Sequence, residues 1–429
     1  AEDGIRDSVA SRGLGDVYKR QVMPTTTPKI KIDAVKSLKA NVILHGDTYD
    51  DAYDFAKQKA KKEKIDFIHP YDDLDVIAGQ GTIAREIIDQ LECKPDYVFV
   101  PVGGGGLIAG ITAYMSQVSP KTKIIAVEPN DSDCFNQAFK SRKRVKLNNI
   151  GIFADGVAVK QIGRQTFNLT KDKVYTSMVV TTDEICAGIK DLYDETRTIA
   201  EPAGALSISG VKKFIKSHNI QNKVFVAIFC GANMNFDRLR YVSERSEIGE
   251  LNEMLLGVTI PEKPGSFKKF CSLIGKKSIT EFNYRYSDQK KAHVFVGIKL
   301  SNGIKDKNQI LSNLKTNKYK VIDLTDNEVA KLHIRYMVGG VSNSASNEMI
   351  FRFIFPEKPG ELFNFLNAVG SNWNISLFHY RNHGSDFGRV LIGIQVEPKD
   401  LSRLLRHLKT LNYEFFEETS NKAYHLFLS

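Results

Sequence analysis

The sequence predicts an α/β region with a mostly parallel sheet, followed by two copies of a smaller α+β module. From residue 22 to about residue 250, apolar β-branched runs alternate with helical periods, which is typical of a parallel sheet covered by helices. Farther along, Pro-Glu-Lys-Pro-Gly occurs at 261–265 and again at 356–360, each time between a strand-like run and an amphipathic run. A string that recurs with matching surroundings indicates an internal repeat.

Helix starts and apolar runs place the elements of the first region. Thr27 followed by Pro28 is typical of a helix start, and Thr182 is predicted to cap a helix through Tyr193. Glu201-Pro-Ala-Gly-Ala opens another helix, with small residues that permit close packing. The other predicted elements are strands at 42–44, 97–102 and 224–229, and helices at 49–62, 75–91 and 107–115.

Four consecutive glycines, Gly103, Gly104, Gly105 and Gly106, separate the strand at 97–102 from a helix. Glycines let successive N–H groups turn toward one point, and the helix adds its positive end. The sequence therefore predicts a phosphate site at this loop.

The same loop also fits a dinucleotide. Gly104, Gly106 and Ala109 match the G-x-G-x-x-[GA] pattern, and the next strand ends in Glu128, where a dinucleotide fold places its ribose-binding acid. Taken alone, the pattern favours NAD and a dehydrogenase. It does not open the chain, however, as such a motif usually does.

Composition restricts the partners. The net charge of +10 comes from scattered lysines, as in 57–64, which indicates solvated helix faces rather than nucleic-acid binding. No apolar run approaches a membrane span. Five cysteines without C-x-x-C spacing predict reduced thiols in a cytoplasm, and the nine histidines show no metal-ligand spacing. Residues 1–21 mix four acidic and four basic residues without an apolar period, which predicts a disordered or unrelated segment.

The repeat predicts two modules, 251–335 and 346–429, each ordered strand, helix, strand, strand, helix, strand. FNYRY at 282–286 matches FHYRN at 378–382, and alternating strands follow both. Edge strands of two similar modules can pair, which would leave a site at their junction for a small apolar amino acid. The alternative is that the repeat serves only as an oligomerisation platform.

Several segments together resemble the biosynthetic threonine ammonia-lyase (threonine dehydratase) family: VMPTTTPKIKIDAVK, VPVGGGGLIAG, ADGVAV, EPAGA, CGANMNFDRLRYVSER and the paired PEKPG strings. The resemblance runs from about Val22 to the C-terminus. It implies a fold-type II, tryptophan synthase β-like catalytic region over 22–250 that binds pyridoxal 5′-phosphate (PLP). It also implies that the two modules are ACT-like, with a ferredoxin-like fold.

The resemblance implies particular roles and ligands. The four glycines and Leu107 would hold the phosphate of PLP, and Cys230 would lie beside the pyridine nitrogen, where the family usually has serine. The reaction would convert L-threonine to 2-oxobutanoate and ammonia, the first step of isoleucine biosynthesis, with L-serine as a second candidate substrate. Isoleucine and valine would act at the modules of a homotetramer.

The family also has a Ser-x-Lys-x-x-Gly segment, whose lysine binds the cofactor covalently, and then Gly-Asn-His, both ahead of VMPTTTP. No residue of the chain matches these segments, and Lys19 lies in the unrelated string VYKRQ. We therefore expect an incomplete catalytic region and an inactive chain as written. Asp155 and Glu201 are acids without an assigned role. A catalytically inactive, amino-acid-sensing protein is the non-enzyme alternative.

Overall fold

The computed structural model describes residues 20–428 except 26, 28, 47–48, 235, 237, 276, 287–289, 341, 343–344, 357–359, 370–371, 382–386 and 412. Most of the segment 1–21 therefore lies outside the described residues. The chain forms two compact units that divide after Gly249. No helix in the described part of the chain is long and apolar enough to cross a membrane.

The first unit alternates strands and helices, as predicted. Its elements are β1 (Arg20–Met23), α1 (Lys29–Ser37), β2 (Asn41–Leu44), α2 (Tyr49–Glu63), α3 (Leu74–Gln90), β3 (Tyr97–Pro101), α4 (Gly106–Val118), β4 (Lys123–Pro129), α5 (Cys134–Ser141), α6 (Arg164–Thr170), β5 (Thr176–Val180), α7 (Thr182–Thr196), α8 (Pro202–His218), β6 (Phe225–Ala227) and α9 (Arg238–Gly249). Strands β5, β4, β3 and β6 form a parallel sheet in that order, and β1 pairs with β2.

Two local predictions need correction. The last strand of this sheet is shorter than 224–229, because only Phe225–Ala227 pairs with β3. The cap of α7 is Thr181 rather than Thr182. The Thr181 hydroxyl accepts the N–H of Glu184 while the Glu184 carboxylate accepts the N–H of Thr181, and this reciprocal pair requires a spacing of three residues.

Helices α3 and α4 cross where two glycines meet. A β-carbon added at Gly110 would lie 2.4 Å from the Ile77 carbonyl oxygen and 2.6 Å from the Gly81 nitrogen. Both neighbours are backbone atoms of α3, so neither can move away without shifting the helix. The close approach fixes α4, and with it the glycine loop at its start.

We expect Gly110→Ala to lower the free energy of unfolding of the first unit by about 1–3 kcal/mol through overpacking. Gly79→Ala is the matched control, because Gly79 lies in α3 with open space around it. That control should stabilise the helix by about 1 kcal/mol. Urea unfolding followed by far-ultraviolet circular dichroism measures both variants, and equal effects would contradict the crossing as described.

The second unit contains both modules. The elements are β7 (Glu253–Pro261), α10 (Ser266–Ile274), β8 (Ile279–Arg285), β9 (Lys291–Lys299), α11 (Ile304–Thr316), β10 (Lys320–Asp323), α12 (Glu328–Leu332), β11 (Glu348–Pro356), α13 (Glu361–Val369), β12 (Asn374–Arg381), β13 (Phe387–Gln395), α14 (Leu401–Thr410), β14 (Glu414–Glu417) and α15 (Lys422–Phe427). Each module has the predicted order of strands and helices, followed by a short helix, α12 or α15.

The two modules share one eight-stranded antiparallel sheet, in the order β10-β7-β9-β8-β12-β13-β11-β14. Strands β8 and β12 join them, with Asn283 opposite His379 and Tyr284 opposite Phe378. Buried aromatic side chains from both modules form a continuous core beneath this junction, including Phe267, Phe270, Phe282, Phe365 and Phe378. The predicted side-by-side pairing of the modules is confirmed.

Candidate functional site

The glycine loop lies at the carboxyl end of β3, the buried central strand of the parallel sheet. Gly105 has a left-handed φ of +92°, a conformation that L side chains rarely adopt. A β-carbon on Gly103 would lie 2.8 Å from the Cα of Val157, and one on Gly104 would lie 2.3 Å from the Tyr71 ring. The loop therefore needs glycine for its turn and for its close neighbours.

Donors from neighbouring segments form hydrogen bonds with the carbonyl oxygens of Gly103 and Gly104. The Gly104 oxygen accepts the Thr166 hydroxyl at 3.0 Å and the Gly163 N–H at 3.1 Å. The Cys134 thiol approaches the Gly103 oxygen at 3.9 Å. Among the residues that the structure describes, no acceptor is found for the N–H groups of 103–107. With carbonyls engaged and N–H groups available, the loop offers donors to an anion.

Glu128 does not face this loop in the way that a ribose-binding acid would. Its side chain is fully buried, and its two oxygens accept the N–H groups of Phe135 at 2.8 Å and Asn136 at 2.7 Å. Burial raises the pKa of the carboxyl to about 8, although the two backbone donors oppose the rise. Glu128 therefore caps the start of α5. Its carboxylate is not available to bind the ribose of a dinucleotide, which the pattern that favoured NAD requires.

Cys230 follows β6, the strand next to β3, and so lies at the same edge of the sheet as the glycine loop. Its thiol is half-buried and approaches the Ala203 carbonyl oxygen at 3.8 Å. Ala203 belongs to the first turn of α8, which begins after Glu201 with Pro202 at its first position. Adjacent strand ends of a parallel sheet are where such folds place ligands.

The structure brings Asp155 and Glu201 together, with two cations that the sequence did not single out. Lys31 Nζ lies 3.1 Å from Asp155 Oδ2 and 3.8 Å from Glu201 Oε2. Arg238 lies 3.5 Å from Asp155 Oδ1. These contacts join residues that are far apart in the chain, and no local pattern signals them.

A separate open cavity lies between the two modules of the second unit. One wall is the Pro-Glu-Lys-Pro-Gly loop of the first module with the start of α10, and the other is formed by α13 and the start of β12. The cavity is lined by Lys263, Pro264, Gly265, Phe267, Lys268, Leu366, Trp373, Asn374 and Ile375. It combines an apolar surface with two cations and a helix start.

The fold and the loop define an α/β protein whose glycine loop lies at the carboxyl edge of a parallel sheet. Residues 9–231 match the family model described as "Pyridoxal-phosphate dependent enzyme". Residues 244–334 and 339–428 each match the "C-terminal regulatory domain of Threonine dehydratase". The first match begins inside the segment 1–21, and the predicted boundary at residue 21 stays a prediction.

The chain is 48% identical over 408 residues to "L-threonine dehydratase biosynthetic IlvA" of Pasteurella multocida, covering 95% of this chain and 79% of that protein. The Escherichia coli protein of the same name is 48% identical over 411 residues, with the same coverage. The solved structure of processed threonine deaminase isoform 2 from Solanum lycopersicum is 45% identical, with a TM-score of 0.51 over 53% of this chain and 66% of that one.

The chain belongs to the threonine dehydratase family of pyridoxal-phosphate-dependent enzymes. The predicted combination of a fold-type II catalytic region with two C-terminal regulatory modules is confirmed. PLP is therefore the cofactor of this family, and the NAD alternative is not favoured. The positions predicted to contact PLP remain predictions.

Proposed function

We propose that the first unit binds PLP with its phosphate on Gly103–Leu107 and acts in the dehydration and deamination of L-threonine to 2-oxobutanoate and ammonia. The main support for the phosphate assignment is the loop itself: the Gly104 carbonyl oxygen accepts two hydrogen bonds from neighbouring segments, while the loop N–H groups remain available to an anion. The relatives named for L-threonine dehydration support the reaction. L-Serine, which also carries a β-hydroxyl, is the second candidate substrate.

When bound, PLP supplies an electron sink for loss of the α-proton and the β-hydroxyl. The chain supplies position and electrostatics. The loop N–H groups and the positive end of α4 hold the phosphate dianion. Cys230 offers a small, neutral partner to the ring nitrogen, and such a partner does not add the charge that a carboxylate would.

A titration with PLP, followed by absorbance, tests the cofactor site. The parent chain should bind saturably with the spectrum of the free aldehyde, because it has no residue that matches the family's lysine segment. Gly105→Val should weaken binding about tenfold or more, since the φ at this position is left-handed and Ile162 lies 2.9 Å from an added β-carbon.

Two controls sharpen that titration. Cys230→Ser should bind PLP like the parent, because a hydroxyl is also small and neutral. Gly79→Ala should bind equally well, since Gly79 has open space around it. If the parent shows no saturable binding, or if Gly105→Val binds as well as the parent, then the loop does not hold the phosphate.

For the regulatory unit, we propose that the cavity between the modules binds L-isoleucine, with L-valine as a second ligand. The start of α10 and the Lys263 and Lys268 side chains suit the carboxylate, and the apolar lining suits a branched side chain. The match to a regulatory domain supports such a role. A homotetramer in the cytoplasm is the remaining part of this proposal, and the thiol form of the five cysteines is consistent with that compartment.

Isoleucine should change the fluorescence of Trp373, the single tryptophan of the chain, because it lines the cavity. Lys268→Gln should weaken binding about tenfold, which is the effect of losing one charge-assisted contact. Lys269→Gln is the matched control, because Lys269 is next to Lys268 in sequence but is not among the residues that line the cavity. Calorimetry can also measure binding directly. If the folded chain gives no heat of binding with isoleucine or valine, the result would favour the alternative that the repeat serves only as an oligomerisation platform.

A further inference from the structure

The segment His69–Asp72, which we call the strap, lies against the glycine loop and was not singled out by any sequence motif. The Tyr71 ring fills the space beside Gly104, 2.3 Å from where a β-carbon would stand. Near Gly106, the backbone carbonyl oxygen of Tyr71 lies 3.1 Å from an added β-carbon. Tyr71 therefore forms one wall of the predicted phosphate site.

Asp72 connects the strap to the first turn of α6, the helix whose Thr166 hydroxyl donates to the glycine loop. Its carboxylate accepts the N–H groups of Arg164 at 2.9 Å, Gln165 at 2.8 Å and Thr166 at 3.2 Å. Thr166 in turn donates its hydroxyl to the Gly104 carbonyl oxygen. The strap, the first turn of α6 and the glycine loop are thus connected through hydrogen bonds.

His69 fixes the turn of the strap from inside. Its Nδ1 accepts the N–H of Tyr71 at 3.2 Å and the N–H of Asp72 at 2.9 Å. A nitrogen that accepts two N–H groups must carry a lone pair, so this geometry exists only for an imidazole without a proton on Nδ1. The ring also packs edge-on against the Tyr71 ring, with centroids 4.6 Å apart.

We propose that His69 and Asp72 are positioning residues that hold Tyr71 against the glycine loop, and thereby shape the site that receives the cofactor phosphate. The inference rests on the proposed function of that loop. A proton on Nδ1 would turn an acceptor into a donor facing two N–H groups. Protonation of His69 at low pH therefore breaks these two hydrogen bonds, and Tyr71 is no longer held against the glycine loop.

The surroundings of His69 favour its neutral form. Burial lowers the pKa of the imidazole, and the positive charge of Lys57 on α2 acts in the same direction, while the carboxylates of Asp72 and Asp73 oppose it. The rings that pack against it are Tyr53, Phe67 and Tyr71. Because the folded protein depresses this pKa, the strap contributes its stability above the ordinary pKa of histidine and loses it as the pH falls through the depressed value.

The decisive variant is His69→Asn, whose side-chain oxygen can accept the same N–H groups without titrating. PLP affinity should be similar in the parent and in His69→Asn near pH 8. Toward pH 5 the parent should become weaker than His69→Asn by about tenfold, the effect of losing one or two hydrogen bonds. Comparing the two chains cancels the protonation of the cofactor's own phosphate.

Further variants separate positioning from general stability. Tyr71→Ala, which removes the ring beside Gly104, should bind PLP about tenfold more weakly than the parent. Asp72→Asn should also weaken binding. Asp73→Asn makes the same charge change, but Asp73 accepts the N–H groups of Asp75 and Val76 at the start of α3 and none from α6. Near pH 8, where His69 is neutral in both chains, it should therefore leave PLP affinity unchanged.

Hydrogen exchange of the Tyr71 and Asp72 amides, which donate to His69, provides a readout that does not require PLP. Corrected for intrinsic rates, exchange at pH 5 should be faster in the parent than in His69→Asn, and equal in both at pH 8. If PLP does not bind but this difference is found, the proposed function fails while the His69 switch stands. If both chains show the same pH dependence in exchange and in binding, the strap proposal is overturned.

Discussion

The 429-residue polypeptide by itself should not convert L-threonine to 2-oxobutanoate at an enzymatic rate. None of its residues matches the segment that supplies the family's covalent lysine, and positioned covalent catalysis is worth about 10⁵-fold or more. Replacing residues 1–21 with a segment that contains Ser-x-Lys-x-x-Gly and then Gly-Asn-His should restore activity. Formation of 2-oxobutanoate from L-threonine is the measurement.

The matched control carries the same added segment with its lysine replaced by alanine. It should fold and bind PLP, yet remain as inactive as the parent. Turnover by the parent at an enzymatic rate would contradict the prediction. Failure of the lysine-containing chain, when it is folded and loaded with PLP, would instead point to a defect in the residues from 22 onward.

Arg335→Met should cost the second unit about 3–5 kcal/mol of unfolding free energy, because it leaves two buried carboxylates without their cation. Arg335 is 3% exposed, and its guanidinium lies 2.6 Å from Glu281 and 3.4 Å from Glu253. Both acids are also buried. The fluorescence of Trp373 during urea unfolding reports this unit, since it is the only tryptophan.

Arg352→Met is the matched control, with an ion pair of 3.0 Å to Glu418 whose side chains are 39% and 22% exposed. That change should cost no more than about 1 kcal/mol. Adding Glu281→Leu to Arg335→Met should recover part of the loss, because it removes one uncompensated charge. Equal destabilisation by Arg335→Met and Arg352→Met would show that burial does not set the strength of the Arg335 cluster.

Most elements were predictable from the sequence because their signals are local. The glycine run after an apolar strand predicted the loop at 103–106, and Pro202 after Glu201 predicted the start of α8. The duplicated Pro-Glu-Lys-Pro-Gly string predicted two equivalent modules. The predicted position of the α7 cap was wrong by one residue. A capping box depends on a reciprocal pair of hydrogen bonds, here between Thr181 and Glu184, rather than on residue type alone.

Glu128 shows where local patterns are insufficient. Its place after a strand matched a ribose-binding acid, but burial and two N–H donors from α5 determine what it contacts. Whether a side chain at a strand end faces ligand or core depends on the helix that returns over it. That information lies in packing and not in the spacing of the motif.

The sequence by itself determined the alternating α/β region, the glycine loop, the duplicated module and the family, since each depends on residue order over short windows or on recurrence. Only the tertiary structure decided that Lys31 contacts Asp155 and Glu201, in which register β8 and β12 join the two modules, and that Tyr71 covers the loop. These contacts join distant parts of the chain. Their energies depend on desolvation and distance, which exist only once the chain has folded.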